Sequence, residues 1–157
     1  MHTPETDHRW ARLSAGVLAE IAAIDARRLE VERAGLSPDR RAALAEPVYS
    51  VRTRFVRWEY LIGLLEAGPA PIDYYAFSEY ENDLDTRSNL EAVLLGSSES
   101  LRSELGPLRK SLDDRFMDAT RDDVTGDLDP WLRAWRDSAP AGHGWWRRVP
   151  KAVPWDR

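Results

Sequence analysis

Between Leu44 and Leu65, apolar residues fall at 44, 48, 51, 55, 58, 62 and 65. Alternating steps of four and three place them on one face of a helix. Past Trp58 the apolar residues (Trp58, Tyr60, Leu61, Ile62, Leu64, Leu65) spread round most of the cylinder, which predicts a central helix with neighbours on several flanks. The pattern makes 48–66 the hub of the chain. Pro47 removes a backbone donor and crowds the preceding turn, so a kink or restart is expected near 45–47.

The other elements follow from the same periodicity. Residues 9–34 read as a first helix, with Trp10, Leu13, Val17, Ile21, Ile24 and Val31 on one side and Gly35 as its stop. Gly16 inside it is expected to mark a close helix crossing. Ser37-Pro38-Asp39 combines an N-cap serine, a first-turn proline and an acid near the positive helix end. A third helix spans 73–95, with Tyr74, Phe77, Tyr80 or Glu81, and Leu84 on one face. The apolar phase then shifts to Leu90, Val93 and Leu94, predicting a bend near 85–86 with Thr86 as a cap. A fourth helix starts near Ser98 and carries Leu101, Leu105, Leu108, Leu112, Phe116 and Ala119, with Gly106-Pro107 expected to kink or split it. Asp129-Pro130 opens a short helix with Trp131, Leu132 and Trp135. Beyond Ser138 the chain, rich in Pro, Gly and Trp, follows neither a helix nor a strand pattern.

The sum is all-α and a single domain over 1–157. It is a mostly antiparallel bundle of four long helices and a short fifth over 9–138, followed by an extended Trp/Pro-rich tail over 139–157 that docks on the bundle. A chain of 157 residues, 43% apolar and 31% charged, has the balance of a globular domain. Its net charge of −5 argues against a general nucleic-acid binder. With no cysteine, disulfides, thiol catalysis and thiolate metal sites are excluded. Lys110 and Lys151 are the only lysines, a bias that codon usage in a GC-rich genome explains. The polar opening Met-His-Thr-Pro-Glu-Thr-Asp-His has no apolar signal core, and no apolar run approaches the roughly 20 residues that span a bilayer. A cytoplasmic location and no membrane partner are the expectation.

The densest chemistry lies between Asp73 and Arg87, where Glu79 and Asp83, and likewise Glu81 and Asp85, stand one helical turn apart. Paired carboxylates at that spacing suit a divalent cation or acid–base work. Helical metal sites also need matching ligands from other helices, for which Glu59, Asp113, Asp114 and Asp118 are the candidates. No pair of Glu-x-x-Glu or Glu-x-x-His motifs is present, so neither a metal nor a cofactor is expected. A solvated acidic face and a partner-binding patch both fit the run. Glu59, beside the buried stripe, needs a cationic partner; the ordinary explanation is a structural Glu–Arg link. The alternative is a polar anchor in a cavity lined by Trp58, Tyr60, Tyr74 and Tyr75. The basic tail (Arg147, Arg148, Lys151, Arg157) is expected to lie on the acidic third helix. His2, His8 and His143 show no catalytic or metal spacing, and no phosphate loop or G-x-S-x-G elbow is present.

The segments Glu81-Asn-Asp-Leu-Asp-Thr-Arg87, Leu112-Asp-Asp-Arg-Phe-Met-Asp-Ala-Thr120 and Trp145-Trp-Arg-Arg-Val-Pro150 resemble uncharacterised small all-helical proteins of GC-rich actinobacteria. The likeness covers roughly the second half and implies no activity. The expected function is a small protein-interaction module, immunity- or antitoxin-like. It would bind a protein partner through an acidic aromatic helix with Glu59, Tyr74, Tyr75, Glu79, Asp83, Asp85 and Arg87 as its binding residues and no catalytic residue. The alternative is a small-ligand binder or enzyme with a pocket between the hub helix and the helix over 73–95.

Overall fold

The computed structural model describes residues 4–68, 77–122 and 148–151. These are mostly helical: α1 (Glu5–Trp10), α2 (Ala15–Ala34), α3 (Pro38–Ala43), α4 (Val51–Ala67), α5 (Phe77–Leu95) and α6 (Glu99–Ala119). Two three-residue strands, β1 (Thr120–Asp122) and β2 (Arg148–Pro150), pair antiparallel with Thr120 opposite Pro150 and Asp122 opposite Arg148. The strand in the tail departs from the expectation of no strand there. The short helix expected near 129–135 and the tail tryptophans lie outside the described residues.

Several expected boundaries move, each for a local reason. The first helix is two helices, because the Ser14 hydroxyl accepts from the Val17 amide and caps α2 afresh. Gly16 marks no crossing: a Cβ there would meet nothing within 4 Å. Gly35 ends α2 with an ordinary negative φ of −89°, whereas Gly68 after α4 has the left-handed φ of +72° that favours glycine. The restart at Pro47 is a break over 44–50, so the hub stripe begins at Val51. Val51, Phe55, Trp58, Ile62 and Leu65 are buried, while Val48 is 53% exposed. α5 runs unbroken through 85–86. Thr86 is not a cap; its hydroxyl donates to the Asn82 carbonyl one turn back, at 3.0 Å. α6 likewise continues through Pro107 without splitting, and its stripe stays in phase, with Leu105 and Leu108 both buried.

The chain divides into two compact units, Met1–Val56 with Asn89–Arg109, and Arg57–Ser88 with Lys110–Arg157. In the first unit, Val17 and Ile21 of α2, Val51 and Phe55 of α4, and Leu101 and Leu105 of α6 are buried, with Trp10 edge-on to Phe55 at 5.6 Å. Its helix starts are held by carboxylates from elsewhere in the unit. Glu104 accepts from the Ser14 amide at 2.9 Å, and Glu20 accepts from the Ser98 amide at 2.8 Å and from the Ser98 hydroxyl. Asp25 accepts from the Val51 amide at 2.9 Å, and Glu32 from the Val48 and Tyr49 amides at 2.7 and 3.1 Å. Each anion satisfies amides left unpaired at or just before a helix start, where the helix dipole favours negative charge.

In the second unit, Trp58 packs on Phe116 with ring centroids 4.7 Å apart, beside the buried Leu61, Ile62, Leu84 and Leu112. Phe116→Ala removes a ring that is 1% exposed and leaves a cavity against Trp58. It is expected to cost about 3–5 kcal/mol in urea unfolding; a loss below about 1 kcal/mol would show that the contact carries little.

The capping carboxylates differ in sign. The Ser98 hydroxyl and amide hold Glu20 below its ordinary value, and the Ser14 hydroxyl and amide do the same for Glu104. At Glu32 burial pushes upward, but the Val48 amide, the Arg28 guanidinium and the Tyr49 amide outweigh it and leave the carboxyl lowered. Burial pushes Asp25 upward, and here the Val51 amide and Arg54 do not reverse it. The three lowered groups contribute stability that is present above the unfolded value of 4.5 and is lost as pH falls through their folded values. Asp25 contributes in the opposite sense: its stabilisation is full below 3.8 and is lost as pH rises through its folded value. Asp25→Asn, which retains an acceptor for Val51, is therefore expected to be at least as stable as the parent at neutral pH. The difference should shrink as the pH is lowered. Urea midpoints across pH measure this, and a clear loss at neutral pH contradicts it.

Candidate functional site

The most organised polar cluster is in the second unit. Asp113 stands on α6 one position after the buried Leu112, and Arg87 stands on α5 one position after the buried Thr86. Arg87 Nε donates to Asp113 Oδ1 at 2.7 Å and Nη2 to Oδ2 at 2.6 Å, a bidentate pair. Trp58 Nε1 of α4 donates to the same Oδ1 at 3.1 Å. The Arg87 side chain is 3% exposed and Asp113 29%. One carboxylate thus gathers donors from two other helices at the edge of the Trp58–Phe116 core. Three protein donors converge on it, as in a structural tie.

A second cluster lies on α4 and α6. Arg115 grips Glu66 through Nε and Nη2, both at 2.7 Å, and Nη1 stands 3.9 Å from Glu59. Glu59 is half-buried and faces a guanidinium, as the structural link expected of it requires.

A third knot joins the end of α6 to the tail. Arg148, 9% exposed, donates from Nε to the Thr120 hydroxyl at 2.8 Å and from Nη1 to Asp122 at 3.0 Å. Its Nη2 reaches the carbonyls of Met117 and Thr120 at 2.8 and 2.7 Å. A cation on the last carbonyls of a helix is favoured by the helix dipole. The Thr120 hydroxyl passes its own proton to the Phe116 carbonyl at 2.7 Å, and the Tyr80 hydroxyl donates to the Arg148 carbonyl at 2.7 Å. Burial pushes the Tyr80 hydroxyl well above its ordinary value, so it stays a donor. Arg148 directs its guanidinium to the end of α6, while its carbonyl meets the Tyr80 hydroxyl of α5. Arg147, Arg157 and the side chains of Glu79 and Glu81, on which the expected electrostatic docking also rests, lie outside the described residues.

Four of the expected binding residues have described side chains. Asp85 is exposed and Asp83 half-buried on α5, while Arg87 is turned inward and engaged by Asp113. Glu59 sits with Arg115. Glu79 belongs to α5, but its side chain, with Tyr74 and Tyr75, lies outside the described residues. Among the described residues no group of three or more His, Asp or Glu side chains could hold a metal ion, and no helix is long and apolar enough to cross a membrane. Sequence reasoning placed Asp113 as a metal-ligand candidate and missed its tie to Arg87. The available signal was the i+1 position of both residues beside buried stripes, where a charge requires a partner. No protein-family model, curated protein or solved structure matches the chain.

Asp113→Ala removes the acceptor that the Arg87 guanidinium and the Trp58 indole share. It is expected to cost about 3–5 kcal/mol, more than Trp58→Phe, which removes a single hydrogen bond worth about 1 kcal/mol plus some packing. Equal losses in urea unfolding would contradict the shared-acceptor arrangement.

Proposed function

We propose that the chain is a small cytoplasmic protein-interaction module of the immunity- or antitoxin-like kind, which binds a basic partner surface through the acidic outer side of α5. The observation that carries this reading is the inward turn of Arg87. Its guanidinium points to Asp113, while on the same helix Asn82 and Asp85 are exposed and Asp83 is half-buried, so the outer side of α5 carries polar and acidic side chains. A net charge of −5 acts in the same direction at long range. The fold that would present this surface is a mostly antiparallel helical bundle with the tail laid against it. Two features support that arrangement. In the first unit the links from Ser14 to Glu104 and from Glu20 to Ser98 run in opposite senses along α2 and α6. In the second unit β2 pairs with β1.

Acidic surfaces act chiefly on association rate. A partner is first recovered by affinity capture on the parent protein, and its binding kinetics are then compared for the parent and Asp83→Asn/Asp85→Asn. At low salt the association rate is expected to fall several-fold, with little change in dissociation, and the gap should narrow as salt is added. An unchanged association rate removes α5 as the binding surface.

A further inference from the structure

No residue from Gly35 to Ser50 is buried, α3 included. The attachments of this stretch to α2 are largely polar. Arg33 donates from Nε and Nη2 to the Leu44 carbonyl at 3.0 and 2.6 Å. Glu32 accepts from the amides of Val48 and Tyr49, and the Arg28 guanidinium, itself bonded to Glu32 at 3.0 Å, lies 5.5 Å from the Tyr49 ring centre. At the far end the chain re-enters the core at Val51, 1% exposed, whose amide is held by Asp25. Within the stretch Leu36, Leu44, Pro47 and Ser50 are half-buried and every other residue is exposed, so lifting it uncovers far less surface than global unfolding does, the condition under which a segment opens below the global unfolding free energy.

We propose that residues 35–50 form a flap that opens as a unit on a first unit that stays folded, with Glu32 as the latch on α2. Opening uncovers the start of α4, where Asp25 caps Val51 and where Arg54, now 8% exposed, donates to the Tyr49 carbonyl at 3.1 Å. The flap is thus a conformational device that changes what this end of α4 shows to a partner.

Native-state hydrogen exchange across a urea series, read by mass spectrometry on the intact chain, tests this. Amides of the flap, Val48 and Tyr49 among them, are expected to exchange with little urea dependence, because the urea slope scales with newly exposed surface. Amides between Val17 and Ile21 should exchange only through large-scale unfolding, with a steep slope. Glu32→Ala should speed flap exchange by about tenfold or more and change the ratio of flap to Val17–Ile21 rates. If flap amides in the parent share the slope of the Val17–Ile21 amides, or if Glu32→Ala speeds both sets equally, the flap is part of the global fold and the proposal fails. The parent series decides this even if the variant does not fold.

Discussion

A carboxylate at the edge of an apolar core has to be satisfied by donors, and in the second unit that requirement fixes much else. Asp113 takes a bidentate pair from Arg87 and an indole proton from Trp58. Those bonds set the rotation of α5, α4 and α6 about their own axes at this level, since each donor must face one point. They also place Trp58 against Phe116 and remove Arg87 from the surface. Apolar stripes alone specify which face of a helix is buried; a shared acceptor specifies register. Whether such a tie adds net stability over a well-packed apolar alternative is a separate matter, because desolvating both charges costs much of what their pairing returns.

The first unit solves a related problem at its helix ends. Four carboxylates, Glu20, Asp25, Glu32 and Glu104, each accept from an amide at or just before a helix start that is distant in sequence. The geometry is that of an N-cap, supplied from another element and not from the preceding residue. Its consequence is a unit whose connections rest on carboxylates, of which Glu20, Glu32 and Glu104 are favoured as anions and Asp25 is not. Where apolar burial is absent beneath such a connection, as from Gly35 to Ser50, the polar links decide whether the segment stays closed.

The sequence shows the apolar stripes of α4 from Val51 to Leu65 and of α6 from Leu101 to Phe116, because helical periodicity is a property of neighbours three and four apart. Pro47 announces a break near 45–47, but its extent over 44–50 is hidden, since Leu44 and Val48 continue the spacing while Glu32 and Asp25, far back in the chain, hold the amides of Val48, Tyr49 and Val51. Thr86 misleads as a cap because the same hydroxyl also bonds within a helix. The β1–β2 pair and the Arg148 knot join positions 28 residues apart, and no local pattern announces such a contact. For the candidate site, Asp83 and Asp85 are legible as acids on α5, whereas the tie of Arg87 depends on a partner on another helix. Charge in sequence locates a polar group; only its partner says whether that group faces solvent or the core.

Arg87 and Asp113 act as one unit. A double-mutant cycle of Arg87→Met, Asp113→Leu and the pair, followed by urea unfolding, measures it most directly. The double variant is expected to be less destabilised than the sum of the single variants by about 1–3 kcal/mol, because each single change leaves a buried charge without its partner. Additive losses would mean that the two side chains do not depend on each other, and would contradict the tie.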